Sequence, residues 1–337
     1  QLVFIQQRGV RFPLGPPKFM YKIAIIEEIH EDGIKLLKDH KDFEFEIIKD
    51  VSEENLLKKL PNFDGCTLRI SKLFANILSH CKNLKVISRH GVGFDNVDLN
   101  YLKENNITLL ITATANAVAV AEHVFYMMLS LTKGITQYDE RVRTGNFKKN
   151  ITQIETYELF NKEILITGFG RIGKSLIKRC LGFEMKVKVY DPFVDSVTIE
   201  KLGGQKVDDF EKALITADFV SLHIPFTEKT KNLLNYEKFK TMKKNSIIIN
   251  TARGGVINEL DLDKALNENI IFGAGLDVFS KEPIEIDNPL LKNKKVLLSP
   301  HTSTFTKECT SRMGKETTQN IIDFFEKRIH KSMVVKL

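Results

Sequence analysis

From Met20 to about Leu110, short apolar runs alternate with amphipathic stretches. The runs Lys22–Ile26, Phe45–Ile48, Cys66–Ile70, Val86–Ser88 and Thr108–Ile111 predict strands. Between them, Gly33–Lys38, Glu53–Leu60 and Leu73–Cys81 carry apolar residues at helical spacing. Alternating strand and helix predicts a parallel sheet covered on both faces. Ala117 to about Arg143 predicts one long helix, with Val118, Ala121, Phe125, Met128 and Leu129 at helical spacing and Gly145 beyond its end. The same pattern restarts at Lys162. Strands are expected at Ile164–Thr167, Lys186–Tyr190, Phe219–Leu222, Ser246–Asn250, Ile271–Leu276 and Val296–Leu298, which makes a six-stranded doubly wound sheet. A final helix is expected over about Lys307–Lys327. No Ser- or Gly-rich linker separates the halves, so they are expected to press together around a cleft.

Composition changes this picture little. A length of 337 residues suits about two domains, and 42% hydrophobic with 28% charged residues excludes a disordered, collagen-like or disulfide-framework chain. The uncharged stretch Ile107–Ala121 is broken by Thr and Asn and falls short of the ~20 apolar residues that span a bilayer; no membrane is expected. The net charge of +7 comes mostly from Lys interleaved with acids, as in Glu53-Glu54 near Lys58-Lys59. No basic block with stacking aromatics appears, so nucleic acid is not expected as a partner. Cys66, Cys81, Cys180 and Cys309 lie far apart without a Cys-x-x-Cys pair. They read as buried thiols of a reducing, cytoplasmic setting and supply no metal site. Residues 1–19 start with Gln1, contain no acid and hold Pro13, Pro16 and Pro17. An upstream extension is the first reading of them and a targeting peptide the second.

The chemistry begins at Gly168-Phe169-Gly170-Arg171-Ile172-Gly173, which follows an expected strand and opens a helix over Lys174–Cys180. Gly168 suits a tight turn, Gly170 a close approach of pyrophosphate, and Gly173 close packing of helix on strand. The helix N-terminus offers free N–H groups to phosphates. Asp191 lies 21 residues after Gly170, at the end of the next strand, where a carboxylate bonds ribose hydroxyls and repels a 2′-phosphate. NAD is therefore expected over NADP; the bland alternative is a structural turn with a chance Asp. Three more segments follow strands of this sheet: Asn250–Gly255, Gly275–Phe279 with Glu282-Pro283, and Ser299-Pro300-His301. Arg253 can clamp a carboxylate, His301 can trade a proton near neutral pH, and Glu282 on the far nitrogen of His301 would favour the imidazolium. Singly, His301 also reads as a core histidine and Glu282 as a surface acid before a Pro turn.

With these motifs in place, the chain resembles the D-isomer-specific 2-hydroxyacid dehydrogenase family, and most of all its 3-phosphoglycerate-oxidising members. The likeness rests on Gly-x-Gly-x-x-Gly, His223-Ile224-Pro225, Asn250–Gly255, Gly275–Phe279 with Glu282-Pro283, and Pro300-His301. In the first half it rests on Leu68-Arg69, Arg89–Asp98 and Val120–His123. The resemblance implies a Rossmann-type doubly wound parallel sheet domain, residues 117–303, that binds NAD. With it goes a discontinuous flavodoxin-like α/β substrate domain, residues 20–116 and 304–337. It implies an enzyme with Arg253 as carboxylate anchor, His301 as acid/base and Glu282 as its partner. Arg171, Ile172, Ile224, Pro225 and Thr302 would join Gly168, Gly170, Gly173 and Asp191 around the cofactor, with Thr251, Ala252 and Asp277 on the nicotinamide side. Gly91, Val92 and Gly93 would offer N–H groups to the substrate carboxylate. The long helix would belong to a homodimer arm, and some members of the fold act instead as non-enzymatic, NAD-sensing corepressors.

Phe147 stands where the family often has Trp, Ser299 where Thr precedes Pro-His, and Ile70 where Ser follows the Arg of the substrate loop. The last departure touches substrate identity. The chain stops soon after the final helix, so the serine-binding regulatory domain of some relatives is not expected. Arg69, Lys72 and Arg89 sit near strand ends of the first domain, and three cations there suit a substrate with a second anion. 3-Phosphoglycerate, with 3-phosphohydroxypyruvate as its keto form, is the first expectation, and would place the enzyme in serine biosynthesis. Hydroxypyruvate or glyoxylate is the second, and solvated surface charges are the bland reading of Arg69 and Lys72.

Overall fold

The computed structural model describes residues 20–147 and 154–337; the expected extension over 1–19 lies outside the described residues. The chain divides into two compact units. One runs to Ala113 and resumes at Ser311–Leu337; the other is Thr114–Thr310.

The first unit holds β1 (Tyr21–Ile26), β2 (Phe43–Ile48), β3 (Gly65–Leu68), β4 (Val86–Arg89) and β5 (Thr108–Ile111). All pair in parallel, in the order β2-β1-β3-β4-β5, which is the flavodoxin-like winding. Register sets Ile25 beside Ile47 on one side and Thr67 on the other. Ile23 to Ile26 are all fully buried, because helices cover both faces and a central strand then reads as a continuous apolar run. The chain's last long helix, Lys307–Phe325, returns to this unit for most of its length. There Ser88 Oγ donates to the Thr317 carbonyl at 2.8 Å, and Asn320 Nδ2 to the Ile111 carbonyl at 3.0 Å.

The second unit holds β6 (Glu163–Thr167), β7 (Lys186–Tyr190), β8 (Gln205–Lys206), β9 (Phe219–Leu222), β10 (Ile247–Asn250), β11 (Gly273–Leu276) and β12 (Val296–Leu298). Their order is β12-β11-β10-β9-β6-β7-β8, parallel throughout. The chain winds outward from β6 to β8, then crosses back to β9, so winding reverses between β6 and β9. Such a switch point is where doubly wound sheets bind ligands. The sheet has seven strands, one more than expected: β8 is two residues long, too short for periodicity to register.

Two further expectations are corrected. The single helix to Arg143 is two, Ala117–Lys133 and Ile135–Arg143, divided at Gly134. Gly134 adopts φ 58°, ψ 33° and its N–H caps the Ser130 carbonyl, ending the first helix in the left-handed conformation that glycine takes at little cost. The helix read over Leu73–Cys81 contracts to Ala75–Leu78. A helix over Leu99–Glu104 escaped notice, although Asp98 caps it by accepting from the Tyr101 N–H. All four thiols are free and buried. Burial pushes Cys81 to about 11 and Cys180 to about 12, so both are protonated and unreactive. Among the described residues no helix is long and apolar enough to cross a membrane.

Candidate active site

At the end of β6 the backbone turns sharply. Gly168 takes φ 93°, and a Cβ there would lie 2.5 Å from the His223 carbonyl oxygen. At Gly173 a Cβ would meet the Gly168 oxygen at 2.6 Å, so the helix Arg171–Gly182 approaches the turn only without a side chain. Gly170 is the opposite case. It is exposed and has no atom within 4 Å of a would-be Cβ. It is also the helix N-cap and makes no side-chain cap bond, which leaves first-turn N–H groups for an anion. Asp191 follows β7; its Oδ2 accepts from the Phe169 N–H at 2.7 Å and its Oδ1 from the Phe193 N–H at 2.8 Å. The carboxylate thus braces the glycine turn as well as standing where ribose is expected, and each oxygen keeps a lone pair for a hydroxyl. Thr167 Oγ1 and Thr251 Oγ1 are buried without a protein partner. An open glycine, an uncapped helix start and two orphaned hydroxyls fit a dinucleotide with polar groups along its length.

The three remaining segments meet at the ends of β10, β11 and β12. Asn250 shapes the first: its Oδ1 accepts from the Ala252 N–H at 3.0 Å and its Nδ2 donates to the Arg253 carbonyl at 2.9 Å. His301 Nδ1 lies 2.8 Å from Glu282 Oε2, while Glu282 Oε1 accepts from the Phe279 N–H at 3.0 Å. The hydrogen bond to Glu282 raises the His301 pKa above the usual histidine value, against burial and the Arg253 charge. Burial alone would raise Glu282, but its bonds from His301 and Phe279 and the nearby Arg253 hold its carboxyl below the ordinary range. Arg253 therefore acts on both, and the three residues form one electrostatic group. Arg253 Nη1 also donates to the Ala252 carbonyl at 2.6 Å, which orients the guanidinium.

Among the expected cofactor residues, Arg171 and Pro225 are exposed, Ile172, Ile224, Ala252 and Thr302 are half-buried, and Thr251 is buried. Asp277 is fully buried. Its carboxylate accepts from Ser299 Oγ and from the Thr302 and Ser303 N–H groups. Sequence reasoning placed His123 in a family-like segment and read Ser299 as a neutral packing change, giving neither a role in the site; both extend this network, with His123 Nε2 2.9 Å from Ser299 Oγ. A histidine set among Ala121, Val124 and Met128 on a buried helix was the available signal.

In the first unit, Arg89 engages the backbone of its own unit. Its Nε donates to the Gly93 carbonyl at 2.7 Å and its Nη1 to the Leu68 carbonyl at 2.7 Å, because a half-buried guanidinium at a strand end finds backbone acceptors. It holds the turn carrying half-buried Gly91, Val92 and Gly93. Arg69 Nη1 donates to the Glu28 carbonyl at 2.8 Å. His90 between these groups is lowered to about 4, by burial and then by the Arg69 and Arg89 charges. Glu27, at φ 66°, was also missed; its Oε2 accepts from the Ile70 N–H at 2.8 Å.

Comparison with known proteins supplies a context for this geometry. Residues 125–303 match the family model described as D-isomer specific 2-hydroxyacid dehydrogenase, NAD binding domain. A D-3-phosphoglycerate dehydrogenase of Methanocaldococcus jannaschii is 35% identical over 90% of this chain, which spans only 57% of that relative's length. A glyoxylate reductase of Thermococcus litoralis is 36% identical, over 94% of this chain and 97% of its own. Among solved structures, a D-lactate dehydrogenase of Aquifex aeolicus complexed with NAD and lactic acid superposes with a TM-score of 0.79 at 28% identity, covering 91% of this chain and 96% of that one.

Proposed function

Because this chain belongs to the D-isomer-specific 2-hydroxyacid dehydrogenase family, we propose that it interconverts a small D-2-hydroxy acid and its 2-keto acid with NAD. The observation that carries the reading is His301 Nδ1 at 2.8 Å from Glu282, with the Arg253 charge acting on both. Bound NAD would supply the hydride acceptor for C2 of the hydroxy acid, and its reduced form the donor for the keto acid. Arg253 clamps the substrate carboxylate and orients the reacting carbon. Glu282 holds the Nδ1 proton of His301, so Nε2 is the atom that trades the proton with the substrate oxygen. Gly168, Gly170, Gly173 and the helix start would hold the diphosphate and Asp191 the ribose, with Thr167 Oγ1 and Thr251 Oγ1 the buried hydroxyls left for polar groups of the cofactor. A homodimer belongs to the same proposal, supported by exposed Val118 and Tyr126 on the helix Ala117–Lys133 and exposed Phe183 beside Phe125.

For the substrate's distal group, phosphate is the first reading, which makes 3-phosphoglycerate and 3-phosphohydroxypyruvate the substrate pair. Its support is the pair of cations Arg69 and Arg89, whose charges add to burial in lowering His90. Glu27 favours a second reading, hydroxypyruvate or glyoxylate: its carboxylate engages the Ile70 N–H of the substrate loop and adds a negative charge there. The test is kcat/KM for phosphohydroxypyruvate, hydroxypyruvate and glyoxylate in the parent and in Arg69→Ala. A parent preference for the phosphorylated acid that Arg69→Ala abolishes selectively supports the first reading. Equal use of the acids, or equal loss of all, replaces it with the second. Turnover below about 0.01 per second on every acid, against the usual 1–1000, discards the enzymatic reading.

A further inference from the structure

His301 has φ 54°, a left-handed conformation that is strained for a non-glycine residue. The surroundings must therefore hold it, and Asp277 does so from both sides. Its carbonyl accepts the His301 N–H at 2.8 Å. Its carboxylate accepts the Thr302 N–H at 2.8 Å and the Ser303 N–H at 3.0 Å. That carboxylate is fully buried and is itself held by Ser299 Oγ at 2.5 Å. Ser299 Oγ has one proton and donates it to Asp277 Oδ1. His123 Nε2, 2.9 Å from the same oxygen, must then be the donor. His123 is 3.8 Å from Asp277 Oδ1, and burial, the main influence on it, favours its neutral form. Its contribution is a directed N–H rather than a charge.

We propose that Ser299 and His123 are positioning residues for the acid/base: acting through Asp277, they hold the left-handed turn that sets His301 against Glu282. The role of His301 itself rests on the function proposed above; the support of its turn does not. A hydroxyl is the group needed at 299, since it donates to Asp277 and accepts from His123 at once. At 123 the need is for an N–H at the reach of Nε2. The charged groups acting on His301 are Glu282, Asp277 and Arg253, and loosening the turn weakens the first of these contacts.

The experiment follows the His301 imidazole titration by heteronuclear NMR, together with kcat, its pH profile and KM for NADH. In Ser299→Ala and His123→Phe the His301 pKa should fall by about half a unit or more, and kcat should fall by about tenfold or more. KM for NADH should stay within about twofold. Ser299→Thr and His123→Gln, which keep the hydroxyl and the N–H, should restore both readouts. Unchanged titration and kcat in Ser299→Ala and His123→Phe would overturn the proposal, as would a Ser299→Thr enzyme as impaired as Ser299→Ala. If Ser299→Ala fails to fold, the His123 pair decides. The titration needs no turnover, so a parent that reduced no keto acid would sink the proposed function while the support of His301 was still decided.

Discussion

At His301 the sign of the pH dependence follows from its neighbours. Reduction of a keto acid needs the imidazolium as proton donor, and the Glu282 hydrogen bond raises the pKa that defines it. Activity in that direction should therefore fall as pH rises through a value above the ordinary histidine pKa. Glu282→Gln removes the anion and should move this limb to lower pH; superimposable profiles would show that the pair does not set it. His301→Ala should cut kcat by about 100-fold or more while NADH still binds, as fluorescence titration would report. Asp191 serves two ends. Asp191→Ser should narrow the preference for NADH over NADPH by removing like-charge repulsion. It should also lower the melting temperature, because the Phe169 and Phe193 N–H groups lose their acceptor. A parent that used NADPH better would relocate the ribose contact.

The elements were legible where periodicity is long. Strands of four or more residues and the final helix stand within a few positions of expectation, since a fully buried parallel run such as residues 23–26 has no polar interruption. Breaks were less legible. Helical spacing on both sides of Gly134 hid the turn, because one glycine inside an apolar pattern reads as a tolerated weakness. Its backbone conformation decides otherwise, and a Cβ there would sit 2.7 Å from Ile154 Cγ2. Gly134→Ala should destabilise the protein by about 1 kcal/mol or more, measured by denaturant unfolding. An unaffected midpoint would mean that the two helices join without the left-handed turn. The helix Leu99–Glu104 escaped for the reverse reason: it is six residues long, and only its Asp98 cap announces it.

For the whole molecule, the proposed homodimer has a direct check. Sedimentation should give twice the chain mass at micromolar concentration, and Tyr126→Glu with Phe183→Glu should yield a folded monomer by placing charge in the exposed apolar face. A parent that sedimented as a monomer would remove the dimer. The sequence by itself determined two α/β units, their parallel sheets and the candidate chemistry of Gly168–Gly173, Asp191, Arg253, Glu282 and His301. Alternation, glycine spacing and strand-end position are local properties that any fold of this chain must respect. Tertiary structure alone decided what those groups touch. Arg89 turned to backbone carbonyls, Asp277 became the buried brace of residues 299–303, and His123 joined that brace across 176 positions of chain. A side chain's partners depend on which strand ends the winding of the sheet brings together, and no local pattern along the chain carries that distance.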